Sequence, residues 1–186
     1  MPTASYMNIG ETLRFLSCPT DTILNSTLLS SILEFQNLVV LSMDTYCPEE
    51  GGCGFHLTDD DMENLAAAIP RLKILQIGLP CRFNFCNTTV ASLLSIYTHC
   101  LDLESLEIYF NTLTIVEDMQ CLLSMSSGYD KAKCRLWDLV VGYILLGVGK
   151  EDIELIMMGF KVIFPCLTDF ADYCGHWWKL RHKLWG

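Results

Sequence analysis

The sequence predicts an α/β repeat fold, with parallel strands on one face of the molecule and helices on the other. The first observation is a recurring phrase, Leu-x-x-Leu-x-apolar, whose leading leucines lie 34, 31 and 33 residues apart. A period of this length is typical of stacked strand-and-helix units, each of which buries its apolar face against its neighbours. The four clear copies are Leu38/Leu41/Met43, Leu72/Leu75/Ile77, Leu103/Leu106/Ile108 and Leu136/Leu139/Val141.

The second observation is that segments with helical periodicity precede most of the phrases. Their apolar residues recur at i, i+3, i+4 and i+7, which places them on one helix face. Residues that favour helix starts occur at 59–61 and 88–89, and Pro70 and Pro165 follow two of the segments. The periodic sets are Met62/Leu65/Ala66/Ile69, Val90/Leu93/Leu94/Tyr97 and Ile153/Ile156/Met157/Phe160.

The predicted unit is a helix, a tight turn and a short strand. Strands joined through a helix pair in parallel, and alternation turns Leu75 and Ile77 toward the helices and Ile74, Gln76 and Gly78 away. The units exceed the ~20–29 residues of regular leucine-rich repeats, so we expect an irregular leucine-rich-repeat solenoid. Residues 44–58 show no periodic pattern of apolar residues. We expect one domain over residues 1–186, with phrases near 13–18, 38–43, 72–77, 103–108, 136–141 and 167–173, and a C-terminal cap at 174–186.

The charge distribution argues against nucleic acid as a partner, and the length of the apolar runs argues against a membrane. The formal net charge is −10, and residues 16–69 contain nine acidic residues and no lysine or arginine. Such a surface repels phosphate groups, so nucleic acid is not expected. The apolar run at 139–149 is about half the length of a membrane-spanning helix. The basic, aromatic residues 176–185 are expected to belong to the cap, and binding to a membrane surface is the alternative.

Ten cysteines and two sequons, at Asn25 and Asn87, raise the question of disulfide bonds. Residues 1–12 contain neither a basic start nor a continuous apolar stretch, so no secretory signal is recognised. Cys18 and Cys100 fall in core positions of the repeat, as free thiols do when they pack as small hydrophobes. We therefore expect reduced thiols and a cytoplasmic or nuclear protein, with disulfides as the alternative.

The search for catalytic and metal-binding motifs favours a protein that is not an enzyme. The chain has no G-x-S-x-G, H-E-x-x-H or complete glycine-rich phosphate motif. Cys47/Cys53 and Cys81/Cys86, with His56 nearby, do not form two matched pairs at zinc-site spacing. No metal and no cofactor are therefore expected. The alternative is a small metal- or thiol-dependent enzyme that uses the region from Cys47 to Cys86.

Three stretches of the chain carry a family resemblance. They are LTDDDMENLA at 57–66 with IPRLKIL at 69–75, THCLDLESLEI at 98–108, and VVG at 140–142 with KEDI at 150–153 and IFPCL at 163–167. Over residues 10–178 the chain resembles the leucine-rich-repeat region of fungal F-box proteins. The resemblance implies that the repeats hold the protein to be ubiquitinated by a ubiquitin ligase. The F-box itself, which binds the Skp adaptor in that family, is not recognised before Leu13.

The predicted strand alignment places outward side chains in rows that another protein can bind. One row contains Ser17, Ser42, Gln76, Glu107 and Val140. The next contains Asp44, Gly78 and Tyr109, flanked by Ile74 and Ser105. The expected protein-binding residues are Ser42, Asp44, Ile74, Gln76, Ser105, Glu107 and Tyr109, with Tyr109 as an exposed aromatic anchor. The alternative for each of these residues is that it is exposed on a strand without binding a partner.

A further alternative concerns the first repeat. No polar cap is recognised before Leu13, and an uncapped repeat leaves apolar surface in water. The chain would then be a truncated repeat fragment without an independent function.

Overall fold

Strands and helices alternate along the chain. A computed structural model describes residues 5–8, 13–18, 23–43, 54–78, 87–111, 113–125, 135–142 and 150–172. The strands are β1 Ser5–Asn8, β2 Leu13–Cys18, β3 Val40–Met43, β4 Ile74–Ile77, β5 Ser105–Ile108, β6 Asp138–Val141 and β7 Asp169–Asp172. The helices are α1 Ser26–Ile32, α2 Asp59–Ala68, α3 Val90–His99, α4 Ile115–Met125 and α5 Lys150–Ile163.

The seven strands form one sheet in which their spatial order follows their order in the chain. β1 and β2 are antiparallel, and each following pair is parallel and in register. The second residues of β3 to β7 therefore lie side by side, in the order Leu41, Leu75, Leu106, Leu139 and Phe170. The predicted α/β class and the predicted parallel alignment of the phrases are confirmed.

One face of the sheet is buried and the other is half-exposed. In β4, Leu75 and Ile77 are buried whereas Ile74 and Gln76 are half-exposed, as the alternation predicts. β3, β5 and β6 show the same pattern. The buried strand residues share one core with the helices, whose contributions include Leu65, Leu93, Ile96, Met119, Ile156 and Phe160. Burying each such side chain stabilises the fold by about 1.5–3 kcal/mol.

β1 covers the edge of the sheet at its N-terminal end. Ser5 pairs with Ser17 and Tyr6 with Leu16, so the backbone of β1 lies along the outer edge of β2. An added strand satisfies backbone donors and acceptors that an open edge leaves unpaired. A strand therefore pairs with β2 before Leu13, and the alternative of a truncated repeat fragment without an independent function stays a prediction. The leucine phrase could not reveal β1, because residues 5–8 do not contain it.

Side-chain hydrogen bonds fix the helix starts. The Thr58 hydroxyl accepts a bond from the Asp61 amide at 3.2 Å, and the Asp61 carboxylate accepts one from the Thr58 amide at 2.9 Å. This reciprocal capping box satisfies two backbone donors at the start of α2. Residues 59–61, which the sequence predicts as capping residues, therefore lie inside the helix. The cap is Thr58, the residue before them. Thr89 caps α3 as predicted.

Three parts of the structure differ from the predicted units. α1 and α4 have no counterpart among the periodic segments identified in the sequence. The end of the region predicted to lack a pattern also takes part in the fold, since Phe55 forms a parallel bridge with Leu24 and Thr58 forms one with Asn87. These bridges link the segments that precede α1, α2 and α3.

Asp59 joins α2 to α3. Its carboxylate accepts hydrogen bonds from the Thr89 amide at 2.7 Å, from the Thr89 hydroxyl at 2.8 Å and from the Ser92 hydroxyl. Ser92 is fully buried, so the carboxylate supplies the acceptor that water supplies at a surface. The negative charge also lies at the start of α3, where the helix dipole is positive. Asp59, the first residue of α2, therefore also stabilises the start of α3.

Cys100 makes a second link between α2 and α3. The side chain is fully buried, and its sulfur lies 3.7 Å from the Ala66 carbonyl oxygen and 3.8 Å from the Ile69 carbonyl oxygen. Thiols are weak donors, and the last carbonyls of a helix have no partner within the helix. The predicted core position of Cys100 is confirmed. The side chain of Cys18 lies outside the described part of the chain.

We expect Asp59→Ala to lower the free energy of unfolding by about 1–3 kcal/mol, because the Thr89 amide and the buried Ser92 hydroxyl lose their acceptor. Urea unfolding followed by circular dichroism measures the change. Asp60→Ala is the matched control. Asp60 is exposed in the same helix turn, and its loss removes a dipole interaction of about 0.3–1 kcal/mol. Equal losses in the two variants would contradict the role assigned to Asp59.

Candidate functional site

The half-exposed side of β3 to β7 carries two rows of side chains. One row contains Ser42, Gln76, Glu107, Val140 and Ala171, and Ser17 precedes it on β2, so the predicted row is confirmed. The other contains Val40, Ile74, Ser105, Asp138 and Asp169, and so includes the predicted residues Ile74 and Ser105. These ten residues of β3 to β7 are termed the open face.

Polar side chains of the open face bond to one another across neighbouring strands. The Gln76 amide nitrogen donates to a Glu107 carboxylate oxygen at 3.4 Å, and the Ser105 hydroxyl donates to an Asp138 carboxylate oxygen at 2.7 Å. Cross-strand pairs of this kind orient the side chains and stabilise the sheet.

The charge of the open face changes from one end to the other. β3 and β4 contribute only uncharged side chains, whereas β5, β6 and β7 contribute Glu107, Asp138 and Asp169. Just before the strands, the Lys73 ammonium lies 2.7 Å from a Glu104 carboxylate oxygen, and both side chains are about half exposed. Exposed ion pairs contribute at most about 1 kcal/mol. The end of the open face formed by β5 to β7 is therefore acidic.

Trp137 lies at this acidic end, immediately before β6, and 47% of it is exposed. Its amide donates to the Glu104 carbonyl at 3.2 Å, and its carbonyl accepts from the Thr168 amide at 3.0 Å. The backbone of Trp137 is therefore bonded to the residues that immediately precede β5 and β7. The sequence analysis did not select it, although a tryptophan at a variable position of a leucine phrase is a recognisable feature. Tryptophan is enriched among residues that dominate interface energetics.

Tyr109 is not the exposed anchor that the sequence analysis expected, because its side chain is only 3% exposed. Its ring lies between glycines that follow the two neighbouring strands. A Cβ on Gly142 would lie 2.6 Å from ring atom Cδ1, and one on Gly78 would lie 3.2 Å from Cδ2. Gly78, expected to face away from the helices, is also buried, and its φ of +91° favours glycine. Tyr109 therefore belongs to the core.

The other candidates from the sequence are placed as follows. His56 is exposed, and among the described residues no three His, Cys, Asp or Glu side chains are arranged to hold a metal ion. No helix in the described segments has the length and apolar character needed to cross a membrane. The candidates outside the described residues are Asp44, Cys47, Cys53, Cys81, Cys86 and the segment 174–186.

A groove of about 210 Å³ lies on the helix side, between α3 and α4. Val90, Leu94 and Leu122 form much of its wall, and Asp118 and Cys121 also line it. Among the described residues the groove lining contains no lysine, arginine or histidine. We interpret the groove as an apolar seam between two helices.

The comparisons with known proteins assign no family. No protein-family model matches the chain, and no curated protein matches it closely enough to be treated as a relative. The interpretation of the open face therefore depends on its own geometry and charge.

We expect Gly142→Ala to lower the free energy of unfolding by about 1–3 kcal/mol, because the added methyl group overlaps the Tyr109 ring. Thermal and urea unfolding measure the loss. Tyr109→Leu tests the cause. Once the ring is removed, Gly142→Ala should cost clearly less than it does in the native sequence. Additive losses in the double variant would show that the ring and the glycine do not depend on each other.

Proposed function

We propose that this chain is a protein-binding repeat module, an irregular leucine-rich-repeat solenoid whose open face holds a partner protein. The observation that carries the proposal is the register of β3 to β7, which joins five short strands into one surface. Neighbouring strands lie about 4.8 Å apart, so the open face extends about 20 Å across the strands. This width suits a segment or an edge of another protein.

The shape and composition of the open face favour a protein over a small molecule. Small-molecule sites are concave and enclose most of the ligand surface, whereas the open face presents parallel rows of half-exposed side chains. Protein interfaces combine polar groups with an uncharged centre and a few aromatic anchors. The open face offers Gln76 and Ser105 as polar groups, Val40 and Ile74 as apolar groups, and Trp137 at its edge.

The resemblance to fungal F-box proteins extends the proposal to a pathway. We propose that the partner is a protein destined for ubiquitination, and that the repeats select it without catalysing a reaction themselves. This step rests on family analogy and not on a feature of the site. Cys100 is fully buried and packs as a small hydrophobe, which is in keeping with reduced thiols, and we extend the proposal to a reducing compartment, the cytoplasm or the nucleus.

We expect a cation introduced on the open face to weaken the binding of the specific partner. Glu107→Lys and Ser42→Arg each place a cation in the central row, and each should reduce capture about tenfold. Glu63→Lys is the matched control, because Glu63 is exposed on α2 and its reversal changes the net charge as much as Glu107→Lys does. Affinity purification of the tagged full chain from fungal cells, with quantitative mass spectrometry, measures the proteins that the control retains and the open-face variants lose.

Two outcomes count against different parts of the proposal. If every specific partner binds the open-face variants and the Glu63→Lys control equally well, the open face is not the binding surface. If a partner depends on the open face but its half-life is unchanged when the gene for this chain is deleted, partner binding stands and the role in degradation falls.

A further inference from the structure

The groove between α3 and α4 interrupts the packing of the helix layer. Asp59 and Cys100 connect α2 to α3, and α4 lies so close to α5 that a Cβ on Gly159 would overlap the Met119 sulfur. Between α3 and α4 there is instead a groove of about 210 Å³. Closely packed helices leave few gaps larger than a water molecule, so the groove is a distinct feature of the layer.

The groove has room for one large apolar side chain. Its volume exceeds the roughly 150 Å³ of an engineered apolar cavity that holds a benzene molecule. Val90 and Leu122 form a buried wall, Leu94 is half-exposed, and Ala91 lines the groove with an exposed side chain. A side chain that enters the groove therefore removes apolar surface of both helices from water, which is favourable.

Asp118 determines what else the occupant must provide. Its carboxylate is the only charged group in the described lining of the groove, and it is half-exposed. Among the described residues its partner is the Thr114 hydroxyl, which donates to Oδ2 at 2.9 Å and carries no charge. An occupant that fills the groove covers part of this carboxylate. Covering a carboxylate without a cation is unfavourable, so the occupant should bring a lysine or arginine.

The charge of the surrounding helices favours the same kind of occupant. α1 to α4 contain six acidic residues, four in α2 and two in α4, and no lysine or arginine. Asp60, Glu63 and Glu117 are exposed. A surface of one sign attracts a partner of the opposite sign and raises its rate of association. Charge complementarity and the apolar groove thus occur on the same side of the molecule.

We propose that the groove between α3 and α4 binds a basic amphipathic helix of a partner protein. The helix places one large apolar side chain in the groove and a lysine or arginine one turn away, at Asp118. This spacing follows from α4, because Asp118 and Leu122 are four residues and so about one turn apart. The inference goes beyond the proposed function, since the groove lies on the helix side of the molecule and the open face on the strand side.

The shape of the groove favours a helix over a small molecule. Small-molecule sites usually measure about 300–1,000 Å³ and enclose most of the ligand. The groove is smaller, and the exposed side chains of Ala91 and Cys121 show that it is open to solvent. Amphipathic helices bind to open apolar grooves through a few anchoring side chains. α3 is ten residues, or about 15 Å, long, so about three turns of a partner helix can lie along it.

The test selects peptides from a phage-displayed library of randomised helical sequences on the immobilised full chain. A length of about 16 residues allows each peptide to form a helix. The Ala91→Trp variant, in which the indole fills the groove, serves for counter-selection. We expect the enriched sequences to share a large apolar residue with a lysine or arginine three or four positions away. Fluorescence anisotropy at about 150 mM salt then measures the dissociation constants of the enriched peptides.

Matched variants separate the groove from the rest of the surface. Ala91→Trp should weaken binding about tenfold or more, whereas Ala67→Trp, at an exposed position of α2, should leave it within about twofold. Asp118→Asn keeps an acceptor for Thr114 and removes the charge, so it should weaken binding about three- to fivefold. Asp60→Asn should change it less than twofold, because screened charges act weakly at a distance. Circular dichroism checks folding, and Ala91→Leu is the smaller block if Ala91→Trp does not fold.

The possible outcomes distinguish this inference from the proposed function. Peptides that depend on Ala91 and Asp118 but not on Ser42 support the groove, whatever the open face binds. Absence of enrichment, or enrichment without the apolar and basic spacing, overturns the inference. A peptide that Ser42→Arg loses and Ala91→Trp retains lies on the open face, which overturns the inference and leaves the proposed function standing. A light-scattering mass of two copies that falls to one with Ala91→Trp identifies a second copy as the occupant and also overturns it.

Discussion

The in-register pairing of β3 to β7 is the constraint on which the rest of the structure depends. Each of these strands is only four residues long, so the length of the hydrogen-bond ladder cannot fix the register. The apolar pair in each strand, such as Leu75 and Ile77, fixes it instead, because a shift of one residue would turn both side chains into solvent. The same shift would bury Gln76. The core therefore determines which side chains the open face presents.

Polar contacts make α2 and α3 depend on each other. Both helices are ten residues long, and isolated helices shorter than about 12–15 residues are marginal in water. Asp59 at the start of α2 supplies an acceptor for the start of α3, and the Cys100 thiol at the end of α3 lies near the last carbonyls of α2. Each helix therefore satisfies backbone groups at one end of the other, so their stability does not come from their own hydrogen bonds alone.

The sequence predicts the parts of the structure that repeat, and it fails where the chain departs from the repeat. The strands and the row from Ser42 to Val140 follow from the spacing of the leucine phrases. Tyr109 was misplaced because alternation was extended one residue beyond β5, where two neighbouring glycines leave room for its ring inside. α4 was missed although Ile115, Met119 and Leu122 are buried along it. Trp137 occupies a variable position of its leucine phrase, and the spacing of the phrase does not determine how exposed that position is.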